Sequence, residues 1–201
     1  MAKPRKIDGL DPDRRLRPNA RRILAVRIAE VYSYDGYIAD PGNVRELHDM
    51  RIACKRLRYL LEIFQVAFPA DLRPLIREVE DLQDVLGDIH DCDTQIPELR
   101  DHLEWLDERE HLAARRLVAE TMTQHEGMSR RARRSEATFR DFRRRLDVGR
   151  RDDERVGVHA LIARRRAERD ALYLGFLDTW RRLKRERFRA RLEEALGIAR
   201  D

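Results

Sequence analysis

The sequence predicts an all-α protein, an antiparallel helical bundle of about five to six helices. Two observations carry that expectation. Apolar residues recur at alternating three- and four-residue spacing over most of the length, the signature of helices that bury one face. Only 9 glycines and 7 prolines punctuate 201 residues, of which 40% are charged. That length suits one domain with a real core and is short for two.

Residues 1 to 17 read as a mobile basic leader, and residues 18 to 201 as the helical domain. Pro18-Asn19 precedes a helical pattern through Ile23, Leu24, Ile28 and Val31, which ends near Tyr34-Asp-Gly36. Pro41-Gly-Asn43 reads as a loop, with Asn43 as the N-cap whose side-chain oxygen accepts a bond from a first-turn N–H. The second helix carries Leu47, Met50, Cys54, Leu57, Leu61, Phe64 and Phe68, the most regular seam in the chain, and Pro69 stops it. After Asp71, a third helix shows Leu72, Leu75, Val79, Leu82, Leu86 and Ile89 at matching spacing. Two such seams across so short a connection predict an antiparallel hairpin. Pro97 either kinks this helix or sits in the first turn of a new one, and Ile96, Leu99, Leu103 and Leu106 continue the seam in both cases.

From about Asp107 the pattern weakens. Residues 127 to 157 hold eleven arginines against six acids, with Gly127, Gly149 and Gly157 as breaks, and read as broken or long, exposed helices with a partly disordered turn expected around 147 to 156. That surplus of five equals the net charge of the whole chain, so the rest is neutral and global basicity says nothing about any other site. Regularity returns at Val158 and runs through Leu161, Leu172, Phe176, Trp180, Leu183 and Phe188 to about Gly197.

The stretch HDMRIACKRLRYLLE, His48 to Glu62, holds the densest candidate chemistry. His48, Arg51, Lys55 and Arg58 each follow a seam residue by one position, so at about 100° per residue they form a stripe beside the seam, roughly 15 Å long. Like charges at this spacing repel by a few tenths of a kcal/mol per pair. Glu62 continues the stripe and is one compensating carboxylate, whereas Asp81, Asp84, Asp88 and Asp91 fall about 200° from their own seam and face solvent. Two readings follow. One is a solvated face whose long stems cover the seam. The other is an oxyanion site: arginines offer two-pronged bonding to phosphate oxygens, Lys55 a compact charge, and Tyr59 and His48 orienting donors. A second wall is available from Arg166, Arg169, Tyr173, Phe176 and Trp180 at helical spacing, although such aromatics are more often core.

HDMRIACKRLRYLLEIF, followed by LQDVLGDIHDCD and then RRRAERDALYLGFLDTW, resembles the conserved-histidine α-helical domain family, CHAD, over roughly residues 20 to 106 and 158 to 195. The resemblance implies a helical fold that binds inorganic polyphosphate and is often found on polyphosphate granules. By position it makes His48 the name-giving histidine, and Arg51, Lys55, Arg56 and Arg58 anion-binding cations. Family members commonly carry two such units, and this chain has one copy of the signature, so a homodimer would supply the second half. Where the family often has an arginine before its Asp-x-Asp pair, this chain has His90 before Asp91 and Asp93. Residues 107 to 157 have no counterpart.

Two alternatives stand beside polyphosphate. The Arg-rich segment could bind nucleic acid through phosphate contacts, with only Phe139 and Phe142 available for stacking. The His48-Asp49 and His90-Asp91 pairs suggest, more loosely, a metal-dependent phosphohydrolase of the HD type. No nucleophile and base set, glycine-rich phosphate loop or HExxH is seen, so no catalytic residue, metal or cofactor is expected. Cys54 and Cys92 lack a CxxC partner, and no run of 18 apolar residues occurs. A cytoplasmic protein without a membrane partner is the expectation.

Overall fold

The computed structural model describes residues 3–13, 15–125 and 152–198, and among these it is helical with no strand. The helices are α1 (Leu16–Tyr32), α2 (Val44–Phe64), α3 (Arg73–His125), α4 (Asp152–Arg185) and α5 (Phe188–Leu196), with a 3-10 turn at Gln65–Ala67. The all-α expectation holds. Among the described residues no helix is long and apolar enough to cross a membrane.

Local chemistry explains the boundaries. Helix α1 begins before Pro18, which sits in the first turn where its missing N–H has no bond to lose. Asn43 stands at the boundary of α2 but does not cap it with its side chain. Its amide instead donates to the Tyr37 carbonyl at 2.8 Å, tying the loop that leads into the helix. Helix α2 ends at Phe64, short of the expected Phe68. Phe68 is extended, as a residue before proline must be, so the chain leaves the helix through the 3-10 turn. Of the two readings of Pro97, the structure has it inside one helix that continues to His125. Gly157, read as a break, also lies inside a helix, because α4 starts at Asp152. Residues 127 to 151 of the Arg-rich segment, with the expected breaks at Gly127 and Gly149 and the first part of the turn expected around 147 to 156, lie outside the described residues. Helices α4 and α5 are separated by Arg187, whose φ of 55° is left-handed. Gly197 ends α5 in the same region, with Ile198 N–H donating to the Glu193 carbonyl and Gly197 N–H to Glu194.

Residues 1–93 and 167–201 form one compact unit and residues 94–166 another. The first holds the main core. Leu24 and Ile28 of α1, the α2 seam Leu47, Met50, Cys54, Leu57 and Leu61, Leu72 just before α3, and the α3 seam Leu75, Val79, Leu82, Leu86 and Ile89 are all buried in it. Phe176, Trp180, Leu183, Phe188 and Leu192 complete it. The predicted hairpin is therefore the centre of this unit. Its N-terminal segment is hydrogen-bonded to α1: Asn19 and Asp11 exchange two bonds, and Arg27 reaches the Arg5 carbonyl at 3.2 Å. In the second unit Ile96 and Ile162 are buried, and Arg155 pairs with Asp107 at 2.8 Å and with Glu110.

Candidate anion-binding site

Two antiparallel helices with facing seams bring residues of equal offset to the same side, because reversing one helix also reverses the sense in which its side chains wind. On α2 the residues one past the seam are His48, Arg51, Lys55 and Arg58; on α3 they are Glu80, Gln83, Gly87 and His90. The observed contacts obey this rule. His48 meets His90, Arg51 lies over Gly87, and Arg58 bonds both Gln83 and Glu80. One face of the hairpin thus carries both rows, and the α3 row was not among the expected site residues.

The two ends of this face differ. At one end Arg58 donates to Glu80 at 2.8 Å and to Gln83 at 3.1 Å, and lies 3.4 Å from Glu62. Its guanidinium also stacks 4.9 Å from the centre of the exposed Tyr59 ring. At the other end His48 Nδ1 lies 3.1 Å from His90 Nδ1. The rings are tilted by 43°, with centroids 4.3 Å apart. Burial, more than any other influence, holds the His48 pKa below its ordinary 6.5, and the neighbouring His90 lowers it further; Asp49 opposes the shift and Arg51 adds to it. Between the ends stand Arg51, half-buried, and Lys55, exposed. Neither has a carboxylate within ion-pair distance among the described residues. The nearest neighbour a Cβ at Gly87 would meet is the Arg51 Nε, at 3.6 Å, so the absence of a side chain there leaves room along the guanidinium.

The remaining expected residues lie elsewhere. Arg56 is on the opposite flank of α2, where it bonds Glu30 of α1 at 3.0 Å; Arg27 holds the other oxygen of the same buried carboxylate. Arg169 is buried, with Nε 3.0 Å from Asp93 and a terminal nitrogen 2.6 Å from the Pro41 carbonyl. Tyr173 is buried and donates to the Ile38 carbonyl at 2.8 Å. These two side chains pin α4 to the loop before α2 and to α3. Phe176 and Trp180 are core. Arg166 belongs to the second unit. Asp81, Asp84, Asp88 and Asp91 are exposed, as their offset requires. Neither cysteine forms a disulfide and both are buried, and burial pushes the Cys54 thiol up to about 12. Among the described residues no three of His, Cys, Asp and Glu gather as a metal-holding group.

In a comparison with known families, the CHAD domain model matches residues 3–100. No curated protein and no solved structure matches the chain.

Proposed function

Residues 3–100 of this chain belong to the CHAD family, and from that premise we propose that the α2–α3 face binds inorganic polyphosphate as a non-catalytic site. The observation that carries this reading is the contrast in pairing along one row. Arg58 has carboxylates from Glu80 of α3 and Glu62 of its own helix, while Arg51 and Lys55 stand in the same row without any among the described residues. Two permanent cations left without counter-charge, flanked by the His48 and His90 rings, suit a chain of phosphates whose oxygens take paired N–H donors from Arg51 and a point charge from Lys55. Tyr59 adds an exposed hydroxyl at the margin. Arg169, Tyr173 and Arg56 support this site by holding the helices that form it. Attachment to polyphosphate granules and a homodimer that doubles the face belong to the same reading.

Competition tests it. Polyphosphate should displace a labelled polyphosphate probe at concentrations where duplex DNA of equal charge does not, because a row of side chains on one helical hairpin follows a thin flexible chain better than a rigid duplex. Equal displacement by both would transfer the function to nucleic-acid binding. The one described arginine of the Arg-rich segment, Arg155, is already paired with two acids. A second reading draws on one observation, the meeting of the two His-Asp dipeptides at His48 and His90. Phosphate release from polyphosphate with Mn²⁺, lost on changing both histidines, would favour a phosphohydrolase; the expected result is no release.

A further inference from the structure

Two imidazole nitrogens 3.1 Å apart can share one proton and no more. In the neutral pair one Nδ1–H donates to the other Nδ1; in the singly charged pair the same bond is kept and strengthened. With both Nδ1 atoms protonated, two N–H groups would point at one another, so the rings must part and each N–H needs a new acceptor. An anion oxygen beside Arg51 is such an acceptor. We propose that His48 and His90 together form a proton-coupled clamp in the anion site, His90 being its ligand-binding residue on α3, so that phosphate oxygens bind best to the doubly protonated pair and binding takes up protons from solvent. This rests on the reading of the face as a polyphosphate site and adds its regulation.

The surrounding charges fit that behaviour. On α2 the neighbours are Arg45, Asp49 and Arg51, and on α3 they are Asp88, Asp91 and Asp93. Asp93 is held by Arg169 of α4, and the half-buried Tyr34 of the loop after α1 lies near Asp49. Arg51 and the second ring oppose the charging of His48, whereas Asp49 favours it. An incoming polyanion adds negative charge on the open side and shifts the balance toward protonation. Histidine is the side chain whose ordinary titration makes this a response near neutral pH.

The test is titration calorimetry with long-chain polyphosphate, whose internal phosphates do not titrate in this range, in two buffers of different ionisation enthalpy at pH 7, with affinities also measured at pH 6 and pH 8. For the wild type we expect uptake of about one proton and an affinity roughly tenfold or more greater at pH 6 than at pH 8, since each proton coupled contributes up to about tenfold per pH unit. The double variant His48→Gln/His90→Gln should take up almost none and lose most of the pH dependence. Circular dichroism and melting of this variant establish that it is folded. His90→Arg, which places a permanent cation on α3, should bind more tightly than the wild type at pH 8 and provides a second reading if the double variant does not fold. Binding by the wild type without proton uptake, or uptake undiminished in the double variant, overturns the clamp while leaving the polyphosphate site standing. Absence of binding at both pH values overturns the site itself, and the clamp with it.

Discussion

Arg51 and Arg58 occupy the same row of α2, both one past the seam, and the structure gives them opposite circumstances. Arg58 faces Glu80 and Gln83; Arg51 faces Gly87. Part of the difference is on α2, where Glu62 lies 3.4 Å from Arg58, and the rest is on α3, where the matching row changes along its length from a carboxylate through an amide to a glycine and then a histidine. A cation's position on its own helix therefore fixes which face it occupies. What pairs with it depends largely on the residue of equal offset on the neighbouring helix. One end of the row ties the hairpin together, and the other is left with positive charge and room.

The largest expected effect divides the two arginines. Arg51→Ala should weaken polyphosphate binding by about 1.5–3 kcal/mol, the range for hydrogen bonds to charged groups, with little change in melting temperature. Arg58→Ala should do the reverse: a partly exposed ion pair contributes roughly 0–1 kcal/mol to stability, and affinity should stay within about threefold of the wild type. Equal loss of affinity in both variants would mean that the two ends act as one site and that Glu80 does not withhold Arg58 from the ligand.

Much of this arrangement was legible in the sequence. The α2 and α3 seams and their hairpin followed from apolar spacing alone, and every seam residue from Leu47 to Leu61 and from Leu72 to Ile89 is buried. The offset that marked His48, Arg51, Lys55 and Arg58 also marks Glu80, Gln83, Gly87 and His90, so the second wall could have been read by applying it to both helices. The more conspicuous aspartates, Asp81, Asp84, Asp88 and Asp91, stand one position further on and face solvent. Arg169 and Tyr173 shared a helical stripe with the core, and no local pattern announces that the Pro41 and Ile38 carbonyls await them. Glu30 was equally hidden, because its partners Arg27 and Arg56 come from two helices and nothing in α1 by itself calls for a buried carboxylate.

Gly87 sharpens the comparison at a smaller scale. It lies within a helix, without a positive φ, so Gly87→Ala should stabilise the protein by about 0.5–1 kcal/mol through the lower backbone entropy of the unfolded chain. A Cβ there would sit at ordinary contact distance from Arg51, and affinity should be unchanged. Gly87→Leu fills the space beside the guanidinium and should lower affinity while the fold persists. If the leucine variant binds as the wild type does, the open floor has no part in recognition and the contrast with Arg58 reduces to charge alone.

The smallest effect concerns the free protein and has a definite sign. Because the folded chain holds the His48 pKa below its ordinary 6.5, the unfolded chain takes up that proton first as the solution is acidified. Below pH 6.5 the unfolded state binds more protons than the native state, and native stability falls until the lower, folded value is passed. Above 6.5 both states are neutral at this residue and the contribution is constant. The measurement is the difference in melting temperature between wild type and His48→Gln at pH 7.5 and again at pH 5.5, without ligand, so that groups common to both chains cancel. The wild type should lose ground on going to the lower pH. Saturating polyphosphate should reverse that trend, since the ligand favours the charged form that the empty site resists. A wild type that gains on acidification without ligand would place His48 in surroundings that welcome its charge, and the two ends of the row would then differ less than their neighbours suggest.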